Sequence, residues 1–401
     1  MSTRLMHVDL DAFFVEVCRR HDPALERVEL LIVGGRRNSR GVVQSASYGA
    51  RAFGVRSGMP IGEAARRCPE ATFVKGEFAW YRDASRAVRA VLEAHAPRVV
   101  MVGLDEGYLD FTGTDLLHPV SLLGQATAIR TAVHREAGLD CSIGIGPNRM
   151  IAKIASDYAK PRGVCEVRPG WERGFLAGLP LRALPGIGPR TAERLAARGL
   201  TDVAQVQEMG LEALAALVGR DEAIHLARRA EGRGSARVRP REQAKSVSRE
   251  TTFAADLRDA EALDRVLVLL VAKVAAQLRD ERLVAGALVL KLRHADFHTI
   301  TRRRRLPAAT AADAPLREVA RALLSPALRE ALARGQAVRL LGVAAVGLEP
   351  TPLDDLFGGD GTGRERDVTR AVDSVRARYG FEAIRPARVI RPRQPPREPD
   401  G

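Results

Sequence analysis

Apolar and polar residues alternate over residues 4–10, and this period of two predicts a β-strand at the start of the chain. One face of this strand carries Met6, Val8 and Leu10, and the other carries His7 and Asp9. Short apolar runs predict further strands at residues 99–102, 108–111 and 141–145. The first two of these form a predicted hairpin with Asp105 and Glu106 at its tip.

Helical spacing replaces the alternation between and after these strands. Apolar residues at i, i+3 and i+4 predict a helix that follows Asn148 and stops before Pro161. Its apolar face consists of Met150, Ile151, Ile154, Ala155 and Tyr158. Two more helices are predicted near residues 80–96 and 119–137. Together with an antiparallel sheet, these helices indicate an α+β unit.

The rest of the chain changes pattern several times. Gly- and Arg-rich residues 34–62 look like a small insert rather than a core, residues 170–232 are almost purely helical by pattern, and residues 233–246 read as a polar linker. Strands are then predicted at residues 284–293, 298–306 and 338–348, and a helix near 364–379. A Pro- and Arg-rich tail from residue 385 has the composition of a disordered segment.

The composition narrows the class of protein. A chain of 401 residues predicts two to four domains, and 63 Lys+Arg against 49 Asp+Glu give a net charge of +14. That excess favours nucleic acid over a membrane as partner, although a basic but unspecialised protein has the same composition. Four scattered cysteines predict a reduced, cytoplasmic protein without disulfides or a zinc site. We expect neither a signal peptide nor a membrane span, since no apolar run approaches about 18 residues.

Acidic residues gather at the ends of the predicted strands. Asp9 lies at the end of the first strand with Asp11 two residues on, and Asp105 and Glu106 lie at the hairpin tip, followed by Asp110. Converging carboxylates repel one another and raise each other's pKa values. Two Mg²⁺ ions about 4 Å apart would relieve this repulsion, activate a hydroxyl and hold a triphosphate. From spacing alone, exposed acids at a turn remain the alternative.

Five segments carry a resemblance that goes beyond spacing. They are residues 8–14 (VDLDAFF), 45–51 (SASYGAR), 104–110 (LDEGYLD), 142–146 (SIGIG) and 153–161 (KIASDYAKP). In order and approximate spacing across residues 1–350, the chain resembles the Y-family DNA polymerases. The resemblance implies an α+β multidomain fold, a right-hand polymerase with a palm of antiparallel sheet and helices, small fingers, a helical thumb and an α/β little finger.

The same resemblance implies the domain boundaries. The palm comprises residues 1–10 and 75–166, the fingers 11–74, the thumb 167–232, the linker 233–246 and the little finger 247–350, followed by a C-terminal extension, 351–401.

For the acids, the resemblance implies specific roles. Asp9, Asp105 and Glu106 match the catalytic metal ligands, and the carbonyl of Leu10 completes the site of the nucleotide-side ion. One Mg²⁺ ion would activate the primer 3′-OH, and a second would bind the triphosphate and the leaving pyrophosphate. Asp11 and Asp110 match no ligand position of the family and are therefore not assigned to the metal site.

Four further residues match the family's nucleotide contacts. Tyr48, Arg51 and Lys160 offer a hydroxyl, a planar fork and a point charge to the triphosphate, and Phe14 matches a steric gate against the ribose 2′-OH. The alternatives are solvated surface residues for the basic pair and ordinary core packing for Phe14. Val42 and Gln44 fall where family members contact the nascent base pair, and Gln44 is larger and more polar than expected there.

Two basic segments are predicted to hold DNA. Residues 184–192 resemble a helix-hairpin-helix of the thumb, with Gly186, Gly188 and Arg190 approaching the phosphate backbone. A basic hairpin of the little finger would contribute Lys291, Arg293, Arg302 and Arg304. A charged edge strand that resists aggregation is the alternative for this hairpin.

Residues 352–357 (PLDDLF) resemble a sliding-clamp-binding peptide through Leu353, Leu356 and Phe357, although the usual leading Gln is missing. Covering the local core is the alternative for this Leu-Phe pair. The sequence thus predicts a monomeric, low-fidelity translesion polymerase without proofreading, which extends primer-template DNA with dNTPs. The alternatives are a non-catalytic adaptor that binds DNA and clamp, and a repair factor that relies on its hairpin alone.

Overall fold

The computed structural model describes residues 4–114, 121–239, 244–351 and 363–387. The chain divides into two compact units, Met1–Glu242 and Gln243–Gly401. Its strands are β1 Leu5–Leu10, β2 Leu31–Val33, β3 Ser45–Ala46, β4 Thr72–Val74, β5 Val99–Met101, β6 Glu106–Asp110, β7 Cys141–Gly146, β8 Val164–Glu166, β9 Ser246–Leu257, β10 Leu283–His294, β11 Thr299–Thr310 and β12 Val338–Pro350.

Its helices in the first unit are α1 Phe13–His21, α2 Tyr48–Ala52, α3 Ile61–Arg67, α4 Phe78–His95, α5 Leu122–Ala132, α6 Arg149–Tyr158, α7 Glu172–Ala177, α8 Pro189–Ala196, α9 Val203–Glu208, α10 Leu211–Val218 and α11 Arg220–Ala230. Those of the second unit are α12 Ala260–Asp280, α13 Asp313–Ala333 and α14 Gly363–Tyr379. No helix in the described ranges is long and apolar enough to cross a membrane.

A five-stranded sheet in the order β5-β6-β1-β7-β8 forms the centre of the first unit. Strand β1 pairs antiparallel with both β6 and β7, and Asp9 lies opposite Glu106 on one side and Ser142 on the other. Met6, Val8 and Leu10 are buried in the main core cluster. The predicted strand and its two faces are therefore confirmed, as is the antiparallel pairing at the centre of the sheet, whereas β8 pairs parallel with β7.

Helix α6 packs closely on this sheet because β7 carries glycine where the helix crosses it. A Cβ atom on Gly144 would lie 2.0 Å from the carbonyl oxygen of Ala152, and one on Gly146 would lie 2.9 Å from the Ala152 nitrogen. Such distances leave no room for any side chain. The SIGIG segment thus brings α6, and with it Lys153, onto the face of β1 that carries His7 and Asp9.

The predicted fingers, residues 11–74, have two parts that pack in different hydrophobic cores. Helix α1 packs into the main cluster of the five-stranded sheet through Phe13, Val15 and Val17. Strands β2, β3 and β4 form a separate small sheet with its own cluster around Ile32 and Ala64. Val43 and Ala50 belong to this cluster. Residues 34–62 therefore contribute to a small core, although the sequence predicted only an insert there.

Helices α7 to α11 share a third cluster that includes Leu195, Val203 and Leu226, as the helical pattern of this segment predicted. The residues after α11 were expected to form a polar linker, but the structure differs. Val238 is buried against Leu5, Val100 and Tyr108, with Ala236 packed beside them. The alternation of Ala236 and Val238 with arginines is the strand-like signal of this attachment.

The second unit is a four-stranded antiparallel sheet in the order β11-β10-β12-β9, covered on one face by α12 and α13. The three predicted strands are confirmed, whereas the edge strand β9 was missed. Helix α14 is attached through Arg279, whose guanidinium binds both carboxylate oxygens of Asp373 at 2.6 and 2.9 Å. The same guanidinium binds Asp313 at 2.8 Å.

Candidate active site

Three carboxylates meet at one end of the five-stranded sheet. Asp9 in β1 and Glu106 at the start of β6 are register partners, so their side chains emerge on the same face. Asp105 precedes β6, and its carbonyl accepts a hydrogen bond from the Leu10 amide at 2.8 Å. The sheet register therefore places at one end of the sheet the three acids that the sequence predicted as metal ligands, with Asp105 near enough to Asp9 for the charge of Asp9 to raise its pKa.

Each of the two register partners has a lysine beside it. Lys160 Nζ lies 2.8 Å from Asp9 Oδ1, and Lys153 Nζ donates a hydrogen bond to Glu106 Oε2. The buried His7 approaches the same Glu106 oxygen with Nε2 at 3.5 Å. Within the described ranges, no three His, Cys, Asp or Glu side chains are arranged closely enough to hold a metal ion. The lysines supply the positive charge that balances these carboxylates.

The three carboxyl groups differ in their electrostatic environments. Burial raises the pKa of Asp9, which Lys160 opposes, and burial together with the charge of Asp9 raises the pKa of Asp105. The approach of the His7 ring and the hydrogen bond from Lys153 lower the pKa of Glu106 to about 2. The Asp105 carboxyl is thus an under-compensated group in this cluster. A carboxylate trio of this kind fits hard divalent cations, which prefer oxygen ligands.

The predicted triphosphate contacts lie around this cluster. Tyr48 begins α2, where the Ser47 hydroxyl caps the helix by accepting from the Ala50 amide at 3.3 Å. The Arg51 guanidinium lies 5.2 Å from the centre of the Tyr48 ring. Burial and the neighbouring Asp11 raise the pKa of Tyr48 to about 12, so the phenol keeps its proton and remains a donor.

The sequence left open whether Phe14 is a steric gate or packs in the core. Phe13 and Phe14 differ in how deeply they are buried. Phe13 is fully buried in the core, whereas Phe14 is only partly buried. The Phe14 ring packs edge-on against Tyr81 with 4.4 Å between ring centres. One aromatic ring therefore belongs to the core, and the other keeps an accessible face beside β1.

Asp11 has a role in this region that sequence comparison did not reveal. It is 4% exposed, and its carboxylate accepts hydrogen bonds from Tyr48 Oη at 3.0 Å and from the Arg162 amide at 2.8 Å. The Ser142 hydroxyl donates to both of its oxygens, at 3.1 and 3.0 Å. The polar pattern marked Asp11 as an acid near the site, but its partners are distant in sequence.

The residues predicted beside the nascent base pair lie just before β3, a strand of the small sheet of the first unit. Val42 is half exposed and forms an isolated bridge with Pro60. The amide of Gln44 donates to the Val33 carbonyl at 2.8 Å, and its side chain is partly exposed. Both assignments stay predictions.

The predicted helix-hairpin-helix turn runs from Leu184 to the start of α8. Gly186 has φ +90°, a backbone conformation that favours glycine, and Gly188 precedes the first residue of the helix. Ile187 between them is buried, so the turn is held by its apolar residue while Arg190 remains exposed.

The basic residues of the second unit do not all share a face of the sheet. Lys291 lies opposite Thr301, while the buried Leu290 lies opposite Arg302. Arg302 consequently emerges on the helix-covered side, where it lies 3.5 Å from Glu330 of α13. The structure thus separates Arg302 and Arg304 from Lys291 and Arg293, and by register Arg303 joins the latter pair.

The residues predicted to bind a clamp, Leu353, Leu356 and Phe357, lie outside the described residues. That assignment stays a prediction.

Comparisons with known families match both units. The model of the impB/mucB/samB family matches residues 8–157, and the model of the impB/mucB/samB family C-terminal domain matches residues 244–355.

Curated proteins named DNA polymerase IV align with most of the chain. One from Halorhodospira halophila is 41% identical over 356 residues, which cover 88% of this chain and 98% of that protein. One from Caulobacter vibrioides is 37% identical over 391 residues, which cover 97% of this chain and 94% of that protein.

Solved structures of Y-family DNA polymerases share the fold. A Y-family chimera of Dbh and Dpo4 has a TM-score of 0.71 at 25% identity, covering 86% of this chain and 99% of its own. The insertion ternary complex of Dbh DNA polymerase has a TM-score of 0.58 at 25% identity, with the same coverage.

Proposed function

The chain belongs to the Y-family DNA polymerases, the impB/mucB/samB family, and is a template-directed DNA polymerase of the translesion type; on this premise we propose that Asp9, Asp105 and Glu106 bind the divalent ions of its active site. Y-family polymerases generally use such ions. The relatives favour the enzyme and not the non-catalytic adaptor. The observation that carries the assignment is the position of these carboxylates at the same end of the sheet.

The chemistry of the donor set supports two Mg²⁺ ions as the metal. Asp105 is partly buried beside Asp9, and its pKa is raised first by burial and then by the negative charge of Asp9. Hard cations with oxygen ligands offset that charge. Bound Mg²⁺ would lower the pKa of the primer 3′-OH and stabilise charge on the triphosphate. Asp9, Asp105, Glu106 and the Leu10 carbonyl would hold the ions.

The side chains around the carboxylates bind and orient the nucleotide. Lys160 and Arg51 donate charge-assisted hydrogen bonds to phosphate oxygens, and Tyr48 supplies a protonated hydroxyl. Phe14 excludes the ribose 2′-OH with the exposed part of its ring, while Tyr81 holds that ring from the other side. Val42 and Gln44 lie against the nascent base pair.

The basic surfaces hold primer-template DNA without reading its sequence, since phosphate contacts position a duplex but do not specify it. Gly186, Gly188 and Arg190 approach the backbone from the α8 turn, and Lys291, Arg293 and Arg303 from the open face of the second sheet. Leu353, Leu356 and Phe357 bind a sliding clamp. The polymerase works as a monomer in the cytoplasm, where its DNA and dNTP substrates are.

The test is primer extension with Mg²⁺ and dNTPs on plain and damaged templates, with wild type, Asp105→Ala and Asp110→Asn. We expect extension by wild type and by Asp110→Asn, a loss of at least a thousandfold in Asp105→Ala, and unchanged DNA affinity in all three. Equal extension by Asp105→Ala would remove Asp105 from the metal site. If the wild-type protein binds DNA but does not extend the primer, the result would instead favour the non-catalytic adaptor.

A further inference from the structure

We propose that Asp11 is a positioning residue for nucleotide binding, whose buried carboxylate ties Tyr48 and the loop that carries Lys160 to the end of β1. The inference rests on the proposed function, because it takes Tyr48 and Lys160 as triphosphate contacts. Asp11 itself touches neither substrate nor metal in this assignment.

Both oxygens of the Asp11 carboxylate are occupied by hydrogen-bond donors. Asp11 Oδ1 accepts from Tyr48 Oη at 3.0 Å and from Ser142 Oγ at 3.1 Å, and Oδ2 accepts from Ser142 Oγ at 3.0 Å and from the Arg162 amide at 2.8 Å. All partners are donors, and a carboxylate is the side chain that offers only acceptors on both oxygens. With both oxygens engaged, Asp11 is poorly placed to ligate an ion, which separates its role from that of Asp9.

The partners of Asp11 lie in three separate segments of the chain. Tyr48 begins α2 in the small-sheet region, Ser142 is in β7, and Arg162 lies two residues after Lys160. The backbone of Asp11 is itself fixed, since its amide donates to the Asp140 carbonyl at 2.9 Å. One buried side chain therefore joins three segments that are far apart in sequence, two of which carry proposed phosphate contacts.

The loop after Lys160 has an unusual backbone conformation where it meets Asp11. Arg162 has φ +55°, a left-handed conformation that residues with a side chain adopt only when their surroundings fix it. Its amide reaches Asp11 in that conformation. Lys160 Nζ, on the same loop, reaches both Asp9 and Asp157 at 2.8 Å. Asp11 thus fixes the backbone from which Lys160 extends toward the carboxylates.

The chain provides a matched control in Asp110. It is the other acid near the motifs that matches no metal ligand, and it lies at the opposite end of β6 from Glu106. Its carboxylate accepts from the Thr112 amide at 3.0 Å, a contact within a local turn. Asp110→Asn therefore removes a charge from the same sheet without reaching Tyr48 or Lys160.

The experiment is single-nucleotide insertion by the full-length protein on primer-template DNA, with Asp11→Asn, Asp11→Ala and Asp110→Asn. Asparagine has nearly the same shape but one acceptor oxygen in place of two, so it cannot satisfy the donors on both sides. We expect Asp11→Asn to raise the KM for dNTP about tenfold and to change kcat by less than about threefold. DNA affinity and the KM of Asp110→Asn should stay within about twofold of wild type.

Two double-mutant cycles separate positioning from a merely structural effect: Asp11→Asn with Tyr48→Phe, and Asp11→Asn with Lys160→Met. If Asp11 acts through these residues, the effects on KM are less than multiplicative in at least one cycle. Multiplicative effects in both cycles, or an unchanged KM in a folded Asp11→Asn protein, would overturn the proposal. If Tyr48→Phe and Lys160→Met themselves leave KM unchanged, the nucleotide assignment fails as well, which distinguishes the two failures.

Discussion

Lys160 Nζ and Asp9 Oδ1 form an ion pair at 2.8 Å, so a side chain proposed to bind the triphosphate contacts one proposed to bind metal. The pair is mostly buried, with 23% and 13% of the two side chains exposed. A metal ion would replace the lysine as the counter-charge of Asp9, and a phosphate would replace Asp9 as the partner of Lys160. Binding of the two ligands is therefore expected to be mutually supportive.

Replacing Lys160 by methionine tests this exchange. We expect the KM for dNTP to rise about tenfold or more, because a charge-assisted hydrogen bond contributes about 1.5–3 kcal/mol. The variant should also unfold at a lower temperature than wild type in EDTA, and Mg²⁺ should narrow that difference by supplying the missing positive charge. Lys273→Met is the control, since this lysine pairs with Glu382 in the other unit at 3.2 Å and should leave KM unchanged.

Asp105→Asn is expected to abolish extension while stabilising the metal-free protein by a few degrees in melting temperature. Burial and Asp9 hold the pKa of Asp105 above its usual 3.8, so its ionisation costs stability in the folded state. That cost is absent below pH 3.8 and fully present above the raised pKa. Thermal unfolding in EDTA should therefore show a gain that grows with pH over this interval, and a gain that persists unchanged at pH 3 would contradict the linkage.

Glu106, next to Asp105 in the chain, should show the opposite effect on stability. The pKa of Glu106 is lowered from 4.5 to about 2 by His7 and Lys153, so its ionised form stabilises the fold above pH 4.5. Glu106→Gln should destabilise the protein at pH 7, and its deficit should shrink as the pH falls from 4.5 toward 2. Unfolding of both proteins in EDTA across this range measures the effect, and a deficit independent of pH would contradict it.

Phe14→Ala should raise incorporation of ribonucleotides relative to deoxyribonucleotides, because the ring edge is then missing where the 2′-OH would lie. A steric effect of this size corresponds to roughly 10- to 200-fold in selectivity. Competition between rNTP and dNTP in primer extension measures it, with Phe14→Tyr as a variant that keeps the ring. If Phe14→Ala leaves the selectivity unchanged, Phe14 serves only in core packing and is not a steric gate.

Arg303→Ala and Arg302→Ala should differ although the two residues are adjacent. By register, Arg303 lies on the open face with Lys291, whereas Arg302 pairs with Glu330 on the helix side. DNA affinity should fall steeply with salt, with a log–log slope of about −0.9 per phosphate neutralised. Arg303→Ala should make that slope shallower by about 1, and Arg302→Ala should leave it unchanged. If both variants show the same salt dependence of DNA affinity, the open face of the sheet is not the DNA-binding surface.

Local pattern was sufficient for the elements that position the metal site. Strand β1 is buried almost throughout, but one face carries Met6, Val8 and Leu10 and the other carries His7 and Asp9, so its alternation is visible in the sequence. Strand β9 was missed because it is an edge strand with a largely exposed surface, in which Val247 and Phe253 are the fully buried apolar residues. An edge strand with few buried side chains does not produce a regular period of two.

Contacts set by register or by distant segments were beyond the reach of the sequence. The face on which Arg302 emerges depends on how β11 pairs with β10, including an irregularity between Ala285 and Ala287. The role of Asp11 depends on partners at residues 48, 142 and 162, which no local pattern connects. Motif comparison identified ligands by position, and therefore passed over an acid that acts through other residues.

The burial of Val238 against Leu5 has a consequence for how the protein is made. At about 5–20 residues per second, a ribosome reaches residue 238 roughly 10–50 s after residue 5. Until then Leu5, Val100 and Tyr108 lack the side chain that covers them in the finished fold. These three side chains of the sheet therefore gain this cover only after the strands that carry them have been made.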